Sequence, residues 1–232
     1  MKIGLFTDPH YSDKAASSNR LHSLSYTKIK EAMMSFKKQD VDLVICLGDL
    51  TDDCIDVNDN PKALKEISDM INSFGIKFYS LMGNHDCQSF TKEEFDSLTN
   101  GAYPPFKVEY DDALLVFLDC NYNDNGEKYK VGEVDWTNTF LPFDQVEALK
   151  KELRTNKAKY VFLHQNIDSG VEEHHIVHNA CEIRKILEDA SVSMVIQGHY
   201  HEGHDNKING VNYHTLPAMC EGEENRFEIL EI

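Results

Sequence analysis

Short apolar segments of this sequence end, one after another, in clusters of polar residues that can bind metal ions. The apolar segments are Ile3–Thr7, Leu43–Leu47, Lys77–Met82, Tyr160–Leu163 and Met194–Gln197. The clusters that follow them are Asp8-Pro9-His10, Gly48-Asp49-Leu50-Thr51-Asp52, Gly83-Asn84-His85-Asp86, His164 and Gly198-His199-Tyr200-His201. Because ligands of open α/β sheets bind outside the carboxyl ends of the strands, we expect these side chains to meet at one edge of the fold.

Helical patterns separate the apolar segments. The predicted helices are Leu24–Lys38, Pro61–Phe74, Lys92–Leu98, Phe143–Arg154 and Asn179–Asp189. Pro61 suits the first turn of a helix and Gly75 suits the cap at its end. Further strands are predicted at Leu114–Asp119, Val211–Leu216 and Arg226–Ile232, the last two with the alternation of antiparallel strands. Residues 100–138 have few helix signals and are predicted to be strands and loops. Strands that alternate with helices predict an α/β protein with mixed sheets.

The length and composition are those of a globular chain. The 232 residues, of which 41% are hydrophobic, suffice for one well-filled core, so we expect a single domain over residues 1–232. The apolar run near the N-terminus is too short for a signal peptide, and we expect a cytoplasmic protein. The six cysteines form no C-x-x-C motif and are expected to be free thiols.

The net charge of -17, from 40 acidic and 23 basic residues, restricts the partners of this protein. Such a surface repels a nucleic-acid backbone or an anionic membrane, and we expect neither as a partner. It would also repel a phosphorylated small molecule, unless cations bound at the site reverse the local charge.

The donor types at the strand ends indicate catalytic metal ions. Asp, His and Asn without Cys suit manganese, iron or zinc in open coordination sites better than a structural thiolate zinc. A single His after a strand is more often structural, but all these groups occur together and in order. His199 and His201 follow Gly198 and are expected to lie on a loop, where they can reach different ions. The candidate metal ligands are Asp8, His10, Asp49, Asn84, His164, His199 and His201.

The ordered motifs D-x-H, G-D-x-x-D, G-N-H-D, H and G-H-x-H resemble those of the calcineurin-like metallophosphoesterases over essentially the whole chain. This resemblance implies a four-layer α/β/β/α sandwich of two mixed sheets flanked by helices. It implies one ion at Asp8, His10 and His201, a second at Asn84, His164 and His199, and Asp49 as the bridge. It also implies that His85 faces the phosphate. Within the family, the chain is similar to the branch of phosphodiesterases and manganese-dependent ADP-ribose/CDP-alcohol diphosphatases.

The expected activity is hydrolysis of a phosphoester by a hydroxide activated between two metal ions. The expected substrate is a phosphodiester or diphosphate of a small nucleotide-like molecule, bound by Asn84 and His85. His85 is the candidate catalytic residue that protonates the leaving group or stabilises the transition state. A phosphomonoesterase with the same site and a non-catalytic metal-binding scaffold remain alternatives. A nuclease of polynucleotides is disfavoured by the acidic composition. The sequence does not define the oligomeric state.

Other polar and aromatic residues have two interpretations each. Asp52 and Asp86 either orient metal ligands or cap turns and helices. The segment Glu172–His178 either lines the substrate entrance or is a solvated loop, and we expect the loop. Tyr122 and Trp136 could form a wall for a nucleobase, but we expect ordinary packing for both.

Overall fold

The computed structural model describes residues 1–16 and 19–232. The strands are β1 (Lys2–Phe6), β2 (Leu43–Cys46), β3 (Lys77–Ser80), β4 (Lys107–Glu109), β5 (Ala113–Phe117), β6 (Ala158–Phe162), β7 (Met194–Gln197), β8 (His204–Ile208), β9 (Val211–Thr215) and β10 (Glu228–Glu231). The helices are α1 (His22–Lys38), α2 (Asn60–Asn72), α3 (Asn84–Ser89), α4 (Lys92–Leu98), α5 (Phe143–Glu152) and α6 (Ala180–Asp189).

The strands form two mixed sheets. The first has the order β10-β1-β2-β3, in which β1, β2 and β3 run parallel and β10 is antiparallel to β1. The second has the order β4-β5-β6-β7-β9-β8, in which β5, β6, β7 and β9 run parallel. Its edge strands β4 and β8 are antiparallel to their neighbours.

Side chains that point alternately to the two faces of each buried strand explain how the sheets and helices form layers. Ile3 and Leu5 of β1 face the second sheet, where they pack in one cluster with Phe117 of β5. Phe6 of β1 points to the other side and packs among residues of α1 and α2, such as Ile67. Helices α5 and α6 cover the outer face of the second sheet with a third apolar cluster. The predicted four-layer α/β/β/α sandwich is therefore confirmed.

The structure differs from the sequence prediction at a few elements. Strand β8 was not predicted, because its residues are mostly polar and only half-buried or exposed at a sheet edge. The short helix α3 was not predicted, and it lies within the G-N-H-D motif. Strand β9 is antiparallel only to β8 and runs parallel to β7, so its predicted antiparallel character is half right.

Among the described residues, no helix combines the length and the apolar character that crossing a bilayer requires. Five of the six cysteines are buried free thiols, and Cys181 is an exposed one.

Candidate metal centre

The backbone is strained where several candidate ligands follow their strands. Asp8, His10, Asp49 and His199 have positive φ angles of 50°, 47°, 52° and 65°. This left-handed conformation costs a residue other than glycine about 1–3 kcal/mol, and such strain concentrates at functional sites. The first two loops are also tied together, because the Asp8 amide donates to the Gly48 carbonyl at 3.1 Å. The turns aim these side chains at one common region.

Glycines allow the loops to approach each other closely. Gly48 has a φ of 119°, and a Cβ there would lie 2.5 Å from Nδ1 of His164. A Cβ at Gly83 would overlap the carboxylate of Asp49. Side chains at these two positions would therefore displace candidate ligands.

One cluster of donors contains Asp8, His10 and His201. Nε2 of His201 lies 3.4 Å from Oδ1 of Asp8 and 3.4 Å from Nε2 of His10. The other Asp8 oxygen, Oδ2, accepts from the hydroxyl of Thr7 at 2.5 Å and from the amide of His199 at 3.0 Å. The hydrogen bonds to Oδ2 hold the carboxylate so that Oδ1 points into the cluster.

A second cluster contains Asn84, His164 and His199. Nε2 of His164 lies 3.2 Å from Oδ1 of Asn84, and the rings of His164 and His199 are 5.0 Å apart. Nδ1 of His164 lies 3.0 Å from the carbonyl oxygen of Leu47 and donates to it in the matching tautomer. That bond leaves Nε2 free to bind a cation.

Asp49 lies between the two clusters. Its Oδ2 atom is 3.7 Å from Nε2 of His10 and 3.4 Å from Nε2 of His164. Its other oxygen accepts from the amide of His85 at 2.8 Å. One carboxylate oxygen of Asp49 therefore faces both groups of donors. His199 and His201 belong to different clusters, although they are two residues apart.

Mutual electrostatic interactions set the pKa values of these buried groups. Burial alone would raise the pKa of Asp8, but His10 and His201 beside it hold that pKa well below its usual value. Burial would lower the pKa of His164, but the carboxylate of Asp49 outweighs it and raises the pKa to about 9. Burial and the neighbouring His164 lower the pKa of His199. Without a metal ion, the carboxylates are thus held ionised and His199 is held neutral, whereas His164 holds a proton that a bound cation would displace.

Three buried side-chain atoms of the clusters have no hydrogen-bond partner among the described residues. These atoms are Oδ1 of Asp8, Nδ1 of His10 and Nε2 of His199. An unpaired buried polar atom is costly, and a bound cation removes this cost. The donors are oxygens and imidazole nitrogens, which suit two divalent ions. The residues present therefore fit a dinuclear site.

The thiol of Cys220 lies beside the first cluster, although no motif of the sequence contains it. Its sulfur is within 4.8 Å of a ring nitrogen of His10 and of His201. Burial raises the pKa of this thiol well above its ordinary value. A protonated thiol is a poor metal ligand, so we do not count Cys220 among the candidate ligands.

Asp86 ties two of the ligand-bearing loops together. Its carboxylate accepts from the amides of Gly83, Leu50 and Thr51 at 3.0–3.1 Å. Burial and the nearby charge of Asp49 raise the pKa of Asp86 to about 7. The contact with Gly83 is the capping contact of helix α3, so Asp86 fills the predicted capping role, and its contacts with Leu50 and Thr51 also hold the backbone beside Asp49.

His85 lies at the rim of the clusters, between Asp52 and Arg20. Nδ1 of His85 is 3.3 Å from the Asp52 carboxylate, and Nε2 is 3.3 Å from the guanidinium of Arg20. Burial lowers the pKa of His85, but Asp49 and Asp52 reverse this and raise it above its ordinary value. The Asp52 carboxylate also lies 3.6 Å from Nδ1 of the candidate ligand His10, which is the kind of contact that the predicted role of orienting a metal ligand requires. Sequence reasoning missed Arg20 because no motif contains it.

A cavity of about 490 Å³ opens over both clusters. It is lined by Asp49, Asn84, His85, His199 and His201, together with Asn19, Arg20, Trp136, Glu172, His174, His175, Tyr200, Glu202 and Glu221. Three residues of the segment Glu172–His178 line this cavity, and two of them, Glu172 and His174, are exposed to solvent, so both interpretations of the segment remain predictions. Trp136 lies at the surface, where it lines the cavity and is 37% exposed, so its predicted packing and the alternative of a wall for a nucleobase both remain predictions. Tyr122 packs elsewhere, with Nζ of Lys128 5.7 Å from its ring.

Comparison with protein families identifies one match over most of the chain. The model of the calcineurin-like phosphoesterase family matches residues 1–203. Related proteins include a 3',5'-cyclic-nucleotide phosphodiesterase of Nostoc sp., 24% identical over 95% of this chain and 79% of the relative. A 3',5'-cyclic adenosine monophosphate phosphodiesterase of Haemophilus influenzae is also 24% identical, over 95% of this chain and 77% of the relative.

A solved structure with the same fold is that of a dimetal phosphatase from Danio rerio. It superimposes with a TM-score of 0.83 over 98% of this chain and 91% of that one. The two sequences are only 17% identical, so this likeness concerns the fold.

Proposed function

This chain belongs to the calcineurin-like phosphoesterase family, and we propose that it hydrolyses a phosphodiester or diphosphate bond of a small nucleotide-like substrate. It is a hydrolase of phosphoester bonds. The family and the two clusters of donors support a site for two metal ions. We propose the class of substrate and the assignment of residues to the two ions.

We assign one ion to Asp8, His10 and His201 and the other to Asn84, His164 and His199. The observation that carries this assignment is the position of Oδ2 of Asp49, 3.7 Å from His10 and 3.4 Å from His164. A carboxylate shared in this way is the bridge that a pair of ions 3.5–4 Å apart needs. The donor types favour manganese, iron or zinc.

When bound, the ions supply Lewis-acid charge and lower the pKa of water from 15.7 towards about 7. The chain itself provides the groups around the phosphate. Asn84 and His85 lie side by side in the cavity lining and contact the ester group. The guanidinium of Arg20, 3.3 Å from His85, is available for a phosphate oxygen.

His85 is the proposed proton donor to the leaving group. Asp52 holds the ring at Nδ1, so Nε2 is the atom that faces the cavity with Arg20 beside it. Burial lowers the pKa of His85, but Asp49 and Asp52 raise it above its ordinary value, which favours the protonated ring that a general acid requires.

The acidic composition is compatible with an anionic substrate. Two divalent ions bring four positive charges, and Asp8 and Asp49 neutralise two of them. A unit charge pair at 4 Å contributes about 4 kcal/mol at an effective dielectric of 20, whereas surface charges beyond about 8 Å are screened. The local field therefore determines binding. The relatives named as cyclic-nucleotide phosphodiesterases support a diester as the substrate.

A panel of esters tests the proposal. The purified protein with Mn²⁺ is assayed on bis(p-nitrophenyl) phosphate, p-nitrophenyl phosphate, 3',5'-cyclic AMP and ADP-ribose. We expect the diesters or the diphosphate to be cleaved faster than the monoester, and Asp49→Asn to lose at least 100-fold in rate. The control variant Asp111→Asn changes an exposed carboxylate and should keep full activity.

Other outcomes of the panel decide against the proposal. Faster cleavage of p-nitrophenyl phosphate would make the protein a phosphomonoesterase with the same site. Equal rates for wild type and Asp49→Asn on every ester would support the non-catalytic scaffold.

A further inference from the structure

Trp136 is a large side chain that lies partly exposed in the lining of the cavity. It is the single tryptophan of the chain, and 37% of it is exposed. Its ring lies 5.5 Å from His174, 5.4 Å from His175 and 5.5 Å from His199. His175 also lies 5.3 Å from the ring of Tyr200. We call Trp136, His174, His175 and Tyr200 the aromatic wall, and all four line the cavity over the candidate metal centre.

The segment that carries Trp136 is fixed by local hydrogen bonds. The carboxylate of Asp135 accepts from the hydroxyl of Thr137 at 2.7 Å and from its amide at 3.2 Å. The hydroxyl of Tyr129 lies 2.8 Å from the carbonyl oxygen of Asp135 and 2.9 Å from that of Asn138. A ring that is already held in place loses little conformational freedom when a ligand stacks on it.

The charges near the aromatic wall indicate what kind of group fits there. Carboxylates of Glu172, Glu202 and Glu221 line the same cavity. Among the described lining residues, Arg20 is the one lysine or arginine, and it lies beside His85. A second phosphate placed at the wall would meet like charges without a permanent cation to bind it. A neutral planar ring is repelled by none of these groups.

We propose that the aromatic wall binds the heterocyclic base of the substrate, which makes the substrate a nucleoside ester with a single phosphate. This inference rests on the proposed function, because the phosphate must lie at the metal centre. His199 connects the two parts: it is a candidate metal ligand, and its ring contacts those of Trp136 and His175. A base stacked on the wall is thus one ring away from the ions.

Tryptophan fluorescence tests the wall without any need for catalysis. Because Trp136 is the only tryptophan, emission excited at wavelengths that the ten tyrosines do not absorb reports on this position alone. The Mn²⁺-loaded protein is titrated with adenosine 5'-monophosphate and, separately, with ribose 5-phosphate. We expect saturable quenching by the first and a much smaller change with the second. Unchanged emission with adenosine 5'-monophosphate, or equal changes with both compounds, would overturn the proposal.

Kinetics provide the second test. Stacking of a base on an aromatic side chain changes affinity by about 5- to 150-fold. Trp136→Ala should raise KM for 3',5'-cyclic AMP by such a factor and leave KM for the ringless diester glycerophosphoethanolamine within about twofold. Trp136→Phe should restore most of the loss. Phe143→Ala, at a 74% exposed aromatic side chain outside the cavity lining, is the matched control.

The outcomes separate this proposal from the one on which it rests. Equal increases in KM for both diesters in Trp136→Ala would contradict a base-binding wall. A wild-type protein that cleaves neither diester would contradict the proposed function, and the fluorescence titration would then decide on the wall alone.

Discussion

Nδ1 of His201 lies 2.8 Å from a carboxylate oxygen of Glu221. This contact turns the other ring nitrogen of His201 towards Asp8 and His10. Glu221 is itself held in a segment that the buried Lys28 fixes, since the ammonium group donates to the carbonyls of Met219 at 2.8 Å and Gly222 at 2.7 Å. The orientation of one candidate ligand thus depends on a chain of contacts that starts in helix α1.

Removal of the Glu221 carboxylate should weaken one metal site. Partners that orient a ligating histidine typically contribute 10- to 100-fold in metal affinity. We therefore expect a calorimetric titration of Glu221→Ala with Mn²⁺ to show one of the two binding steps with an affinity about 10- to 100-fold lower than in wild type. The affinity of the other binding step should change little. The control Glu223→Ala removes an exposed carboxylate two residues away. Two unchanged affinities in Glu221→Ala would mean that the contact has no such role.

His85→Asn should affect the chemical step. If His85 protonates the leaving group, kcat should fall about 10²- to 10⁴-fold for esters of alcohols with high pKa. The loss should be much smaller for p-nitrophenyl esters, because nitrophenolate leaves without a proton. Metal content, measured by mass spectrometry, should stay at the wild-type level. Equal losses for both kinds of leaving group would indicate that His85 acts on the phosphate and not as an acid.

His214 should make stability depend on pH in a defined direction. It lies 2.9 Å from Glu228 and 2.6 Å from Asp205. The contact with Glu228 raises its pKa most, burial opposes this, and Asp205 adds to the rise, so that the pKa increases from 6.5 to about 9. Because the folded pKa is the higher one, the stabilisation is complete below about pH 6.5 and is lost as the pH rises through about 9.

The measurement for His214 is a comparison of free energies of unfolding in urea. At pH 6, His214→Gln should be less stable than wild type by about 1 kcal/mol, a value reduced for the exposure of the partner carboxylates. At pH 10 the difference should disappear. Both proteins are measured with EDTA, so that metal binding does not contribute. A difference that grows with pH would contradict this role.

Much of the site was predictable, because its residues follow short apolar segments that can be recognised locally in the sequence. The apolar strands β1, β2, β3, β6 and β7 are short buried runs, and each delivers its donors at its carboxyl end. Parallel pairing of β1 with β2 and of β2 with β3 then brings Asp8, Asp49 and Asn84 to the same edge. Periodicity along the chain and the order of the motifs sufficed for this part.

The supporting groups could not be predicted, since they depend on contacts between distant segments. Arg20 meets His85 across 65 positions of sequence, and Glu221 meets His201 across 20. Neither belongs to a motif with a fixed spacing. Trp136 lies in a segment without regular secondary structure, where no periodicity indicates which way a side chain points. Its position over the metal centre follows from the path of two loops that only tertiary packing defines.

Anomalous diffraction from a crystal soaked in Mn²⁺ tests the central assignment most directly. We predict two peaks about 3.5–4 Å apart on either side of Asp49, one beside Asp8, His10 and His201 and the other beside Asn84, His164 and His199. A single peak, or two peaks that do not share the Asp49 carboxylate, would contradict it.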